Sequence, residues 1–154
     1  MFLVLRLLHL LGVILFVGNI ATAALWKARA DATGDLHAIA FAQRGVMRAD
    51  YVFTIPGAML IIITGLWLAD LSGRNILQTG WLLTALILLV ISLLLWLSEL
   101  LPLQRRMMRI ADEAVQTGRL DPIFKQLTVR WTISGILAAV LPLINVYLMV
   151  FKPF

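Results

Sequence analysis

Four long apolar runs, at residues 4–26, 52–69, 81–97 and 131–151, dominate the hydrophobic pattern of the chain. Each run comes close to the roughly 20 residues that a helix needs to cross a hydrocarbon core about 30 Å thick. The segments between them hold most of the charged residues. The pattern therefore predicts an all-α fold in one domain, 1–154: an integral membrane bundle of four transmembrane helices.

The segments between the runs carry their own helical signals. Asp35 can cap a helix that continues into the second run. Apolar residues recur at helical spacing over 103–117, which predicts an amphipathic helix lying on the inner membrane surface. Its arginines would then meet anionic lipid headgroups. These residues are Arg105, Arg106 and Arg109. Glu99 has Arg44 or Arg48 as candidate partners, although a solvated charge is the simpler interpretation.

The loops differ sharply in positive charge. Only Arg6, Arg74 and Lys152 lie in the N-terminus, the second loop and the tail. The first and third loops hold the other lysines and arginines, and such loops face the cytoplasm. We therefore expect both termini to be periplasmic, in an N-out/C-out arrangement within the bacterial inner membrane. The residues of the first and third loops are Lys27, Arg29, Arg44, Arg48, Arg105, Arg106, Arg109, Arg119, Lys125 and Arg130.

Composition supports the same class and excludes others. Hydrophobic residues make up 62% of the chain and charged residues 14%, which leaves no room for a separate soluble domain. The absence of cysteine excludes disulfides and thiolate chemistry. The net charge of +5 lies in loops flanking the spans, so we expect lipid and not nucleic acid as the partner. Residues 1–23 resemble a signal peptide, but Lys27 and Arg29 favour an uncleaved first span.

Polar and small residues form one inward stripe on each span, because lipid offers a polar side chain no partner. Most of this stripe is explained by polar contacts that hold helices together. Depth divides it into two tiers, and Pro142 frees the carbonyl of Ala138 beside the outer tier. The outer tier contains His9, Thr64, Gly65, Thr84, Asn145 and Met149, and the inner tier contains Asn19, Thr54, Ser92 and Ser134. Gly12, Phe16 and Gly57 share the same arcs.

His9 is the residue with the most chemical potential. A neutral imidazole can ligate haem iron or another metal, or pass a proton. The simpler interpretation is a buried histidine that hydrogen-bonds to Asn145 or a threonine. Arg6, one turn away, can meet a haem propionate or a lipid headgroup. The candidate cofactor-binding set is therefore His9, Arg6, Asn145, Met149 and Thr84, with His9 as the candidate metal ligand.

Two segments carry a family resemblance. The arrangement Arg6-x-x-His9-x-x-Gly12, with Phe16 and Gly18 following, resembles the first helix of HemJ-type protoporphyrinogen oxidases and CopD-like membrane proteins. Pro56 and Gly65-Leu66-Trp67, then Gly80-Trp81-Leu82, resemble the second helix and the entry to the third. The resemblance implies haem b, held in that family between the first-helix histidine and a third-helix lysine. Ala85 stands at the lysine position here. The whole chain is more similar to an uncharacterised family of small bacterial four-helix predicted integral membrane proteins.

Three functional hypotheses follow. The first is an inner-membrane protein that binds haem b or a porphyrin through His9. The second is a non-enzymatic structural or accessory subunit, associating with itself or a larger membrane complex through Gly18, Gly135 and Ala139. The third is a small-solute or proton pathway along the polar stripe. An enzymatic activity stays undecided, because the resemblance implies a HemJ-like oxidoreductase but the third-helix lysine is absent. The sequence also contains no recognisable nucleophile–base pair or carboxylate dyad.

Overall fold

Helices account for nearly all of the computed structural model, which describes residues 1–153; within that range no strand occurs. Phe154, the natural fusion point for a topology reporter, lies outside the described residues. Two π-helical turns, Asp50–Thr54 and Trp96–Leu100, each join two successive helices without a break. The helices are α1 Phe2–Thr33, α2 Leu36–Ala49, α3 Ile55–Leu71, α4 Gly80–Leu95, α5 Leu101–Thr117 and α6 Ile123–Phe151.

The chain thus forms four long rods, each long and apolar enough to cross a membrane. This confirms the predicted four-helix membrane bundle. Two rods are much longer than a bilayer core. Leu36–Leu71 has 36 residues and Gly80–Thr117 has 38, so each spans more than 50 Å at about 1.5 Å per residue. Both extend at the end that carries residues 27–51 and 99–130, here called the basic end. The opposite end, with both termini and residues 72–79, is called the terminal end.

The helix predicted at the start of the first loop is confirmed. Asp35 accepts a hydrogen bond from the backbone N–H of His37 at 2.9 Å, which caps α2. Through its π-helical turn, α2 then runs directly into α3, as expected. A π-helical turn inserts one residue into a helix, and such turns occur often at functional sites.

The second predicted loop helix is present as α5. It continues α4, and its apolar face packs against α2. Pro102 does not interrupt the rod, because a proline in the first turn of a helix has no intrahelical bond to lose. The apolar face of an amphipathic helix can be buried against a membrane or against another helix, and here α2 buries it. The buried cluster at this end includes Ile39, Ala40, Val46, Leu103, Met107 and Ala111.

Charged residues of the basic end contact each other around this cluster. Arg105 donates a hydrogen bond to the Tyr51 hydroxyl at 3.1 Å, and Arg44 pairs with Asp112. Glu99 does not pair with Arg44 or Arg48; it accepts from Arg130, with 2.8 Å between Nη2 and Oε2. Arg105, Arg106 and Arg109 are exposed, so their predicted contact with lipid headgroups stays a prediction.

The first and second spans touch through glycines. A Cβ atom built on Gly12 would lie 2.9 Å from Leu60 Cβ, and one built on Gly57 would lie 2.9 Å from the backbone nitrogen of Phe16. Small residues at these two positions let the backbones of α1 and α3 approach closely, as membrane helix interfaces require. This contact fixes the position of His9 and Phe16 on α1 relative to α3.

Pro142 lies inside the continuous helix α6. A proline has no N–H, so the carbonyl of Ala138 loses its partner four residues on. Ser92 of α4 donates to that carbonyl at 3.2 Å. The predicted free carbonyl is therefore present, and a neighbouring span satisfies it.

Candidate functional site

An apolar cavity of about 160 Å³ lies between α1, α3, α4 and α6, in the half of the bundle nearer the terminal end. We call it the His9 cavity. Its walls are almost entirely hydrocarbon, and the groups that break this pattern come from the predicted outer tier. Lining residues include His9, Phe16, Gly65, Ala85, Leu89, Pro142, Asn145 and Met149. Three residues of the predicted cofactor-binding set, His9, Asn145 and Met149, thus line one cavity.

The imidazole of His9 is held from the second span. Nδ1 of His9 lies 3.0 Å from Oγ1 of Thr64. With the Thr64 hydroxyl donating to the Leu60 carbonyl, its oxygen accepts from Nδ1–H of His9. In that tautomer the lone pair of the ring lies on Nε2.

Gly65 makes room for this ring. A Cβ atom at Gly65 would lie 3.2 Å from Cε1 and 3.6 Å from Nδ1 of His9. Contacts of 3.2 Å are tighter than a methyl group normally tolerates, so any larger residue would displace the imidazole. Together Thr64 and Gly65 fix the orientation of the His9 ring. Histidine with one nitrogen anchored and the other available is the usual arrangement at binding sites.

Asn145 supplies the other polar atom of the His9 cavity. Its Oδ1 is buried and has no hydrogen-bond partner within residues 1–153. A buried acceptor without a partner is uncommon and costs about 1–3 kcal/mol. The simpler interpretation, a His9 that hydrogen-bonds to Asn145 or a threonine, is met by Thr64 and not by Asn145. The carboxamide oxygen is therefore available to whatever enters the cavity.

Two residues of the predicted set lie elsewhere. Arg6 is exposed and stacks over the Phe2 ring, with 4.3 Å between the guanidinium carbon and the ring centroid. Thr84 is not among the lining residues of the described cavities; its neighbour Ala85 lines the wall. At a helical turn of about 100° per residue, that one-residue difference moves a side chain to another face.

A second cavity, of about 190 Å³, lies nearer the basic end between α1, α4 and α6. We call it the Asp50 cavity. Two residues of the predicted inner tier, Thr54 and Ser92, line this cavity. A third, Asn19, is hydrogen-bonded to Thr54 at its edge. Asp50 was not predicted, because it was assigned to a loop. Its spacing gives the signal that was missed: Asp50 precedes Thr54 by four residues and so extends the inward arc of α3.

The tryptophans divide between the surface of the bundle and its interior. Trp26 and Trp67 are exposed at 63% and 47%, as residues facing lipid or headgroups would be. Trp131, at 9%, is buried and lines the Asp50 cavity with Trp96. Phe16, at 3%, lies between the two sites and lines both cavities.

The donor sets suit binding more than metal coordination. Within residues 1–153, no three His, Cys, Asp or Glu side chains cluster as a metal would require. What the two cavities offer is hydrogen-bonding groups set in apolar or aromatic walls. Such walls with a few placed polar atoms are typical of small-molecule sites.

Comparison with known proteins gives the family. Neither the curated proteins nor the solved structures contain a match to the chain. A family model described as "Predicted integral membrane protein (DUF2269)" matches residues 3–153, which include all four spans. The chain therefore belongs to the DUF2269 family of predicted integral membrane proteins.

Proposed function

We propose that this protein is a membrane-embedded binding protein, which takes a small lipophilic ring compound bearing a hydroxyl group into the His9 cavity. The observation that carries the proposal is the pairing of two available acceptors with hydrocarbon walls. These acceptors are Nε2 of His9, freed by the bond to Thr64, and Oδ1 of Asn145. A phenolic or quinol hydroxyl donates to such acceptors while its ring occupies the apolar space.

Size supports a ligand of about one ring. The cavity measures about 160 Å³, and an apolar protein cavity of about 150 Å³ binds benzene. Larger ligands need pockets of about 300–1,000 Å³. A single aromatic ring with short substituents therefore matches the available space.

Entry from the bilayer is consistent with the rim of the cavity. Leu10, Leu66 and Val150 line it and are 58%, 45% and 68% exposed. In a membrane these side chains face lipid tails, so a lipophilic compound dissolved in the bilayer reaches the cavity without crossing water. This favours a lipid-soluble ligand over a polar metabolite.

Phenol and benzene test the proposal, since they share a ring and differ in one hydroxyl. We expect the purified protein, at matched micellar concentrations, to bind phenol about tenfold more tightly than benzene, because a hydroxyl satisfies a buried acceptor. The difference should shrink in His9→Leu and Asn145→Leu and persist in Gln104→Leu, which changes the other cavity. Equal affinity for the two rings in the unmodified protein would end the proposal.

Haem b bound through His9 is the second candidate, favoured by the resemblance of 3–18 and 54–86 to HemJ-type proteins. The donor set supports it, because Nε2 of His9 has its lone pair and Met149 lines the same cavity. The space does not: about 160 Å³ is well below what a macrocycle needs. Haem would require the four surrounding helices to separate.

An absorption spectrum decides between the two candidates. The protein is purified in mild detergent and recorded oxidised and dithionite-reduced, beside His9→Ala. A Soret band that disappears with His9 would establish haem binding and redirect the first proposal. A colourless protein, even after haem addition, would remove the haem candidate and leave the phenol experiment to decide alone.

We also propose the bacterial inner membrane as the location, with the basic end in the cytoplasm and both termini in the periplasm. The support is the concentration of lysine and arginine in the two loops at that end. In this orientation the His9 cavity lies in the outer half of the bilayer and the Asp50 cavity nearer the cytoplasmic surface.

A further inference from the structure

The carboxylate of Asp50 is buried at 6% exposure and held by neutral donors only. Asn19 Nδ2 and Thr54 Oγ1 each donate to its Oδ1 at 2.9 Å, and Trp96 Nε1 donates to its Oδ2 at 3.1 Å. The ion pairs among residues 1–153 involve Asp31, Asp112 and Glu99. Asp50 therefore has a fixed position but no cationic partner.

Two further polar atoms on the same cavity have no partner at all. Oε1 of Gln104 and Nε1 of Trp131 are buried without a hydrogen bond within the described residues. Both side chains are more than nine-tenths buried, with exposures of 5% and 9%. Buried polar atoms nearly always have partners. An unpartnered acceptor, an unpartnered donor and an uncompensated carboxylate on one cavity point to a polar ligand.

Aromatic rings determine what kind of ligand fits. Phe16, Trp96 and Trp131 line the cavity together with Asp50. A cation over an aromatic face, away from water, gains about 2 kcal/mol, and aromatic cages bind methylated ammonium groups in this way. Hard metal ions instead require six or more oxygen ligands in a close shell, which these walls do not provide.

The positive charge already present nearby is accounted for. Lys27 lies over the Trp131 ring, with 5.2 Å between Nζ and the ring centroid. It pairs with Asp31 and donates to Thr128 at 3.3 Å, and it is not among the lining residues of the cavity. Asp31 therefore compensates the charge of Lys27, and the charge of Asp50 is left for a ligand.

We infer that the Asp50 cavity binds a small organic ammonium ion, either quaternary or a protonated amine. The charged group lies beside Asp50 and the aromatic rings, and Gln104 and Trp131 hydrogen-bond to its polar substituent. The cavity volume of about 190 Å³ accommodates a trimethylammonium group with a short substituent chain. The walls open between α1 and α6, where Ala21, Ala24 and Ile136 are exposed. This inference concerns a separate site and does not depend on the ligand of the His9 cavity.

Choline and its uncharged isostere 3,3-dimethylbutan-1-ol test the inference, because they have the same shape and differ in charge. Binding to the full-length protein in detergent is measured by calorimetry at constant ionic strength. We expect choline to bind at least tenfold more tightly than the isostere. Asp50→Asn keeps the shape of the side chain and should weaken choline at least tenfold while leaving the isostere unchanged.

Two further variants keep the test decisive if Asp50→Asn does not fold. Gln104→Leu should weaken choline several-fold, since it removes the unpartnered acceptor. Asn145→Leu, in the other cavity, should leave choline binding unchanged. Equal affinity for choline and its isostere would overturn the inference. Displacement of choline by sodium ions at the same concentration, with potassium ions less effective, would also overturn it, because the site would then select an inorganic cation. Binding of neither compound would mean that water satisfies these groups, and would overturn it too.

Discussion

Replacing Gly57 with alanine adds a methyl group where α1 and α3 touch through their backbones. That methyl carbon would lie 2.9 Å from the backbone nitrogen of Phe16 and 3.0 Å from the carbonyl oxygen of Gly12. Both neighbours are main-chain atoms, so no rotamer change can relieve the contact. The two helices must move apart, and the packing of Phe16 and His9 on α1 changes with them.

The expected size of the effect follows from two opposing terms. Overpacking a well-packed interface costs typically about 1–3 kcal/mol, and backbone contacts place this site near the upper limit. Alanine in a helix interior is favoured over glycine by up to about 1 kcal/mol. We therefore expect Gly57→Ala to lower the free energy of unfolding by about 2 kcal/mol. Separation of α1 from α3 should also weaken phenol binding in the His9 cavity.

Gly18→Ala is the matched control, on α1, the other helix of this interface. A Cβ atom at Gly18 has nothing within 4 Å, so only the helix-propensity term remains and stability should stay equal or rise by up to about 1 kcal/mol. Unfolding by sodium dodecyl sulfate in mixed micelles, followed by far-ultraviolet circular dichroism, measures both variants. Equal stability of Gly57→Ala and Gly18→Ala would refute the close backbone contact between the first two spans.

Three other predictions test separate parts of the bundle. Ser92→Ala should cost about 1–3 kcal/mol of unfolding free energy by leaving the Ala138 carbonyl unpaired; in a Pro142→Ala background, which restores the helical N–H, a double-mutant cycle should show most of that cost gone. Lys27→Met should destabilise by about 1–3 kcal/mol, because it leaves the partly buried Asp31 without its partner, and adding Asp31→Asn should restore most of the loss. A reporter fused to the C-terminus should score as periplasmic, and a cytoplasmic score would reverse the charge-based topology.

The spans and the outer tier could be predicted from the sequence because their causes are local. A run of about 20 apolar residues forms a helix that spans the bilayer. The spacing of residues along that helix shows directly which side chains lie on the same face. His9, Asn145 and Met149, which helical spacing and depth placed near one level, line one cavity. Thr84 does not line this cavity, because a shift of one residue on a helix turns the side chain to another face, and Ala85 lines the wall instead.

The basic end was predicted less well because its contacts are not local. The apolar stripe of α5 is equally compatible with a membrane surface and with another helix, and only the tertiary fold selects α2. Asp50 lay close to Arg48 and Tyr51 in an apparent loop. The continuity of α2 into α3 was predicted, but Asp50 was grouped with the loop charges, although its position four residues before Thr54 places its carboxylate inward.

Hydrogen bonding separates the polar groups of the inward stripe into two kinds. One kind bridges spans and is satisfied: His9 with Thr64, Asn19 with Thr54 and Asp50, and Ser92 with Ala138. These bonds act as the polar contacts that hold membrane helices together. The other kind is buried and unsatisfied, and three of its members line the two cavities: Asn145, Gln104 and Trp131. Asp31 Oδ1 and Gln43 Nε2 are also unsatisfied but lie outside both cavities.

If the stripe served only to hold helices together, unsatisfied atoms would have no reason to collect at open space. Their position there is the reason to seek ligands for both cavities, with Phe16 as the wall between them.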